Sequence, residues 1–368
     1  MSDAEAVIYF ISCVIHSKIP DKCIVDKLNL KDVYLFASKH MLSAAVAIAL
    51  ESAGYKDSRS NKAIANSLRR LTLFEMNKAA LFEKLEHAGI WYMPLKGAVL
   101  KDFYPKAVMR EMSDYDILFD ASRTKDIKDI MEELGFQTAE FGKHNEDVYY
   151  KLPVISFEMH RALFGARHKR AINEYYKGVK QCLICDTAKQ FSFHFTPEDF
   201  YIYITAHEYS HYSVAGTGLR SLLDTYLYIK NNNLDFKYIE TETNKLGILD
   251  FERKNRKLAL SLFDGKELNT ADKEMLEYII SSGTYGTIKN YADNGIAENS
   301  RLSYFLKRLT LPYSQMLEEY PILQKAPFLY PFCWLSRLCI RGVILRRKRL
   351  ISQLKVLLKG KKIHVFYL

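Results

Sequence analysis

Strand and helix signals interleave in one stretch of this 368-residue chain, from about residue 90 to about residue 195, and the sequence on both sides reads as helix. That change of period divides the chain into a helical region over 1–89, an α/β core over 90–195 and a second helical region over 196–368. The fold class it predicts is α+β, a small mixed sheet with its own helices, flanked by helices at both ends.

On the N-terminal side, LNLKDVYLFASKHMLSAAVAIALESAG is helix-forming and stops at Gly54, and KDSRSN reads as a polar loop. Ile64, Leu68, Leu71, Phe74, Leu81 and Leu85 then recur at helical spacing up to Gly89. In the core, IWYMPLKG reads as a short strand and GAVLKDFY as a helix start. SDYDILFD reads as a strand in which Tyr115, Ile117 and Phe119 alternate with Asp114, Asp116 and Leu118. SRTKDIKDIMEELG is a helix with Ser122 as its expected N-cap and Gly135 as its stop. DVYYKL and VISFEMH, parted by Pro153, can pair as a hairpin. From TPED onward the chain is helical again, with Thr196 capping, Pro197 at the first helical position and Asp199 in the capping-box position.

Apolar residues make up 48% and charged residues 26%, which is globular and neither disordered nor fibrous. No apolar run is long enough to span a bilayer, and Asp3 and Glu5 stand where a signal peptide is basic, so a cytoplasmic location is expected. Six scattered cysteines fit reduced thiols better than a disulfide framework. The net charge of +10 is concentrated, since residues 301–368 carry fourteen Lys/Arg against two acidic residues. Such a tail suits an anionic partner such as nucleic acid, lipid headgroup or acidic protein, or else forms a solvated basic helix face or covers the core.

The chemistry concentrates in PLKGAVLKDFYPKAVMREMSDYDILF. Gly97 lets the backbone pass close to a ligand, and the free N–H groups of the helix that follows favour phosphate. Asp114 and Asp116 sit at i and i+2, so on a strand they project from one face and converge on one divalent cation. Glu158, in ISFEMH, closes the site if its strand pairs beside theirs. Lys96 and Arg110 are candidate phosphate contacts; the alternatives are a solvated lysine and a structural ion pair.

The order strand, glycine, helix, DxD, third carboxylate resembles the polymerase-beta-like nucleotidyltransferase superfamily. More narrowly, LKGAVL, FYP, MREMSDYDILF and FEMH resemble a bacterial family of uncharacterised nucleotidyltransferases. The resemblance implies a nucleotidyltransferase-type sheet and transfer of a nucleoside monophosphate from an NTP, ATP favoured, to an acceptor hydroxyl, with pyrophosphate leaving. It implies two Mg²⁺ ions on Asp114, Asp116 and Glu158, and nucleotide contacts from Lys96, Gly97 and Arg110. It extends weakly to His207, Arg220 and Asp224, which with His211 are candidates for an acceptor pocket. The acceptor itself stays open among sugar, antibiotic or other small molecule, protein and tRNA. One departure is Gly97-Ala98, where the superfamily usually has Gly-Ser or Gly-Gly; it motivates an alternative in which the chain only binds nucleotide or RNA.

HEYSH, His207 to His211, spells a zinc-protease pair, which makes a zinc metallohydrolase a remote alternative. A third ligand is missing, however: the extended motif would put a histidine at 217, which is Thr217. The two histidines share a helical stripe with Phe200 and Ile204, so they line either the core or a cleft, with Glu208 turned away from them. Cys182 and Cys185 form one CxxC without a second pair and read as buried strand cysteines.

Overall fold

The structure, a computed structural model, describes residues 1–165, 168–287, 290, 294 and 313–337. The N-terminal helices are α1 (Asp3–Ile15), α2 (Lys22–Val25), α3 (Leu30–Lys39), α4 (Ser43–Ser52) and the long α5 (Ser58–His87). The first is closed by a capping box between Ser2 and Glu5. Asp57 caps α5 through the Ser60 N–H, so four of the six residues expected as loop, Ser58 to Asn61, are already helix.

The core follows as β1 (Tyr92–Pro94), α6 (Gly97–Leu100), β2 (Tyr115–Phe119), α7 (Thr124–Glu133), β3 (Gln137–Glu140), β4 (Glu146–Lys151), β5 (Ile155–His160) and α8 (Arg170–Tyr175). A two-stranded ribbon, β6 (Ile184–Cys185) with β7 (Phe193–His194), leads out of it. The expected cap at Ser122 is corrected. Asp120 accepts from the Ser122 N–H and caps a short 3-10 turn, and α7 starts after it at Thr124. Cys182 and Cys185 are exposed, against the expectation that they are buried.

The sheet has the order β1-β2-β5-β4-β3 and is mixed. β2 and β5 are parallel, β1 is antiparallel to β2, and β4 is antiparallel to both β5 and β3. The expected hairpin is therefore the β4–β5 pair. Period-two alternation decides which side chains go to which face. Tyr115, Ile117, Phe119, Phe157 and Met159 turn to the back, where Phe74, Leu81, Phe82 and Leu85 of α5 and Ile127 and Met131 of α7 bury them. Each such buried Phe or Leu contributes roughly 1.5–3 kcal/mol.

The C-terminal helices are α9 (Pro197–Tyr212), α10 (Leu219–Asn231), α11 (Phe236–Lys245), α12 (Leu249–Phe263) and α13 (Thr270–Ser282). Thr196 caps α9 through the Asp199 N–H, with Pro197 in its first turn. Leu118 on the front face of the sheet packs with Phe200, Tyr203 and Ile204 of α9. The two helical regions are not separate layers: α1, α3 and α4 share one apolar core with α10, α12 and α13.

No helix among the described residues is long and apolar enough to cross a membrane. Of the basic segment 301–368, residues 301–312 and 338–368 lie outside the described residues.

Candidate active site

The front face of the sheet carries the carboxylates. Parallel pairing of β2 with β5 sets Asp116 directly beside Glu158, and Leu118 beside His160. Asp114 is the residue just before β2, and it points into the same field. Asp116, Glu158 and His160 bring one ligand atom each to within 4.8 Å of one another.

Asp116 is the hub. Lys96 Nζ donates to its Oδ1 at 2.7 Å, and His160 Nε2 lies 2.9 Å from the same oxygen. Burial opposes ionisation, yet the Lys96 ammonium and the His160 imidazole hold the Asp116 carboxyl far below the ordinary range. Glu158 has no such partner at bonding distance; His160 Nε2 stands 3.7 Å from its Oε2. Burial and the neighbouring charge of Asp116 push it up to about 8. Burial and Asp116 also raise Asp114, whose Oδ2 accepts from Ser113 Oγ at 3.0 Å. Two carboxyls raised by crowding around a third describe a site short of positive charge. Hard oxygen donors in that number fit a divalent cation of the magnesium type, with the imidazole orienting Asp116.

Gly97 opens α6 at the end of β1, and Lys96 just before it has φ +43°. A positive φ at a lysine is strained and is found where surrounding structure holds it. The Leu95 N–H donates to the Asp116 carbonyl at 3.0 Å, and with the Lys96–Asp116 bond this fixes the turn against β2. Gly97 has a packing reason as well as the expected one. A Cβ there would stand 2.4 Å from Arg110 Nη1 and 2.9 Å from Met112 Sδ. Arg110 cannot swing aside, since Asp224 grips it. Gly97→Ala is therefore expected to cost about 1–3 kcal/mol, as overpacking does. A urea unfolding curve reads it as a fall in midpoint at constant slope, whereas an unhindered helical glycine would gain from alanine.

The structure corrects the expected role of Arg110. Its Nε and Nη2 both donate to Asp224 at 2.8 Å, and Tyr104 donates to Asp224 Oδ1 at 2.7 Å. The guanidinium is thus a buried strut between the core and α10 and not a free phosphate contact. The same bonds engage Asp224 with Arg110 and Tyr104. Arg220 Nη1 donates to the Glu111 carbonyl at 2.6 Å, and its charge reaches Asp114.

His207 and His211 lie on α9 with their Nε2 atoms 3.2 Å apart. They face the front of the sheet: burial and then the Lys96 ammonium hold His207 well below its ordinary value, while Asp116 opposes this. Glu208 turns the other way, into the helical core. Its Oε2 accepts from Asn255 Nδ2 at 2.9 Å, while its Oε1 and Asn255 Oδ1 have no partner. Burial pushes its carboxyl up to about 7 from an ordinary 4.5. A raised carboxyl is protonated preferentially in the folded state, so stability falls as pH rises from 4.5 to about 7. The loss is roughly 3 kcal/mol, at about 1.4 kcal/mol for each tenfold change in proton affinity. Glu208→Gln keeps the acceptor for Asn255 Nδ2 and adds a donor for Oδ1. Thermal midpoints across that range should fall for the parent by several degrees more than for this variant, and the variant should be the more stable above neutrality.

Sequence reasoning missed His160 as a site residue, although Glu158 and His160 stand at i and i+2 of one strand and so share its front face. The fold is α+β, of nucleotidyltransferase type. The chain belongs to the family described as uncharacterised nucleotidyltransferase, whose model matches residues 26–264. The match ends where α12 ends, so it takes in helices on both sides of the sheet. No curated protein and no solved structure matches the chain.

Proposed function

We propose that this protein is a Mg²⁺-dependent nucleotidyltransferase that moves a nucleoside monophosphate from an NTP, with ATP the favoured donor, to an acceptor hydroxyl. The observation that carries the reading is the side-by-side register of Asp116 and Glu158 on parallel strands, with Asp114 before the first of them. Asp114, Asp116 and Glu158 would hold a divalent cation, which would supply positive charge to the group in transfer. His160 keeps Asp116 oriented through its 2.9 Å contact. The N–H groups of Ala98, Val99 and Leu100 are already bonded to the Leu95 and Lys96 carbonyls, so the turn at Gly97 offers the phosphates a close backbone approach beside Lys96 and not a row of free amides. Lys96, bonded to Asp116, moves its ammonium onto phosphate when the nucleotide enters. Glu158, which no side chain engages at hydrogen-bonding distance, takes the acceptor's proton as the new P–O bond forms and the bond to pyrophosphate breaks. His207 and His211 look onto the front of the sheet beside these groups, and Arg220 lies at the Asp114 end of β2. Transfer is tested by incubating the protein with α-labelled ATP, Mg²⁺ and a cell lysate. A labelled product formed together with pyrophosphate supports the reading; no labelled product with any of the four NTPs contradicts it.

A further inference from the structure

We propose that a cavity on the flank of the carboxylates opposite Gly97 is the acceptor site, and that it takes a small molecule with a planar apolar ring, an anionic group and the reacting hydroxyl. The proposal rests on the transfer reading above for its orientation but is tested without it.

The cavity measures about 280 Å³ and opens where Leu118 of β2 and Arg161 after β5 end the front face. Leu118 is the register partner of His160, so the cavity starts one pleat beyond the carboxylates. On a strand that is about 7 Å from Asp116. Antiparallel pairing puts the two ends of β1 on opposite flanks. Pro94 lies opposite Ile117 and leads to Gly97, whereas Trp91 lies at the other end, where its carbonyl accepts from the Asp120 N–H. In an in-line displacement the acceptor oxygen enters opposite the leaving pyrophosphate. With phosphates on the Gly97 flank, the acceptor enters from the Trp91 flank.

The lining states the chemistry. Trp91, Leu118, Leu163 and Phe164 make apolar walls. Tyr176, 8% exposed, adds a further aromatic wall. Lys180 lines the cavity too, with its ammonium 3.1 Å from the Phe193 ring centroid and 5.5 Å from that of Trp91. Among the described residues no carboxylate pairs with it. An unpaired ammonium over an aromatic wall selects an anion carried on a flat ring.

Trp91 reports on its own cavity, because the chain has two tryptophans and Trp334→Phe leaves it alone. Para-nitrobenzoate, a flat anionic quencher, is titrated against that protein, with para-nitrobenzyl alcohol as its uncharged counterpart. Quenching by the acid should saturate. It should weaken about tenfold or more for the alcohol and in Lys180→Met, the worth of a charge-assisted contact. Ala162→Phe, which fills the cavity from an exposed position, should abolish saturation while circular dichroism is unchanged. Saturation should persist in Asp116→Asn. Linear quenching, equal in Lys180→Met and Ala162→Phe, overturns the cavity whatever the transfer assay shows. Saturable, Lys180-dependent quenching in a protein that transfers no nucleotide upholds the cavity as an acid-binding site and rejects the transfer reading alone.

Discussion

Asp116→Asn is expected to remove nucleotide transfer almost completely, by about a thousandfold or more, as loss of a principal charge-stabilising group does. The substitution keeps the shape and the acceptor for Lys96 but removes the charge that Lys96 and His160 address at 2.7 and 2.9 Å. Lys96 is not stranded, because Glu158 stands beside position 116 and ionises more readily once the neighbouring charge is gone. The fold should therefore survive, at a cost of a few kcal/mol at most. Initial rates of label transfer, with circular dichroism on the same samples, check both parts. Asp114→Asn, which breaks no ion pair, is the companion: activity lost there with unchanged stability ties the effect to the site.

The largest effect on stability is expected at Asp224. Asp224→Ala strands the Arg110 guanidinium, whose side chain is 5% exposed, and removes the acceptor of the Tyr104 hydroxyl. Removing one partner of a buried pair costs about 3–5 kcal/mol. Asp224→Leu combined with Arg110→Met should recover most of that, since the uncompensated charge goes as well. Chemical denaturation of the single and double variants gives the comparison. A single variant within about 1 kcal/mol of the parent would mean that solvent reaches Arg110 and the strut is not buried.

Much of this was legible in the sequence because it is local. The DxD alternation, the glycine stops and the Thr196–Pro197 helix start each depend on a few neighbouring residues. Glu158 beside Asp116 was legible as a condition, and the parallel register of β2 and β5 meets it. The Lys96–Asp116 bond was not legible, since it needs the antiparallel turn from β1 and a positive φ at Lys96. Nor was the Arg110–Asp224 pair, which joins residues 114 apart through the docking of α10 on the core. Helical spacing put His207 and His211 on one stripe and Glu208 off it, but which stripe faces the sheet is decided by how α9 packs on Leu118.

The most direct measurement of the central claim uses ATP labelled in turn at the α- and the γ-phosphate, with Mg²⁺ and an acceptor-containing lysate. The α-label should pass to product and the γ-label should leave as pyrophosphate. Both events should stop with a chelator and in Asp116→Asn. Label reaching product from the γ-phosphate, or α-label transfer undiminished in Asp116→Asn, would contradict nucleotidyl transfer at these carboxylates.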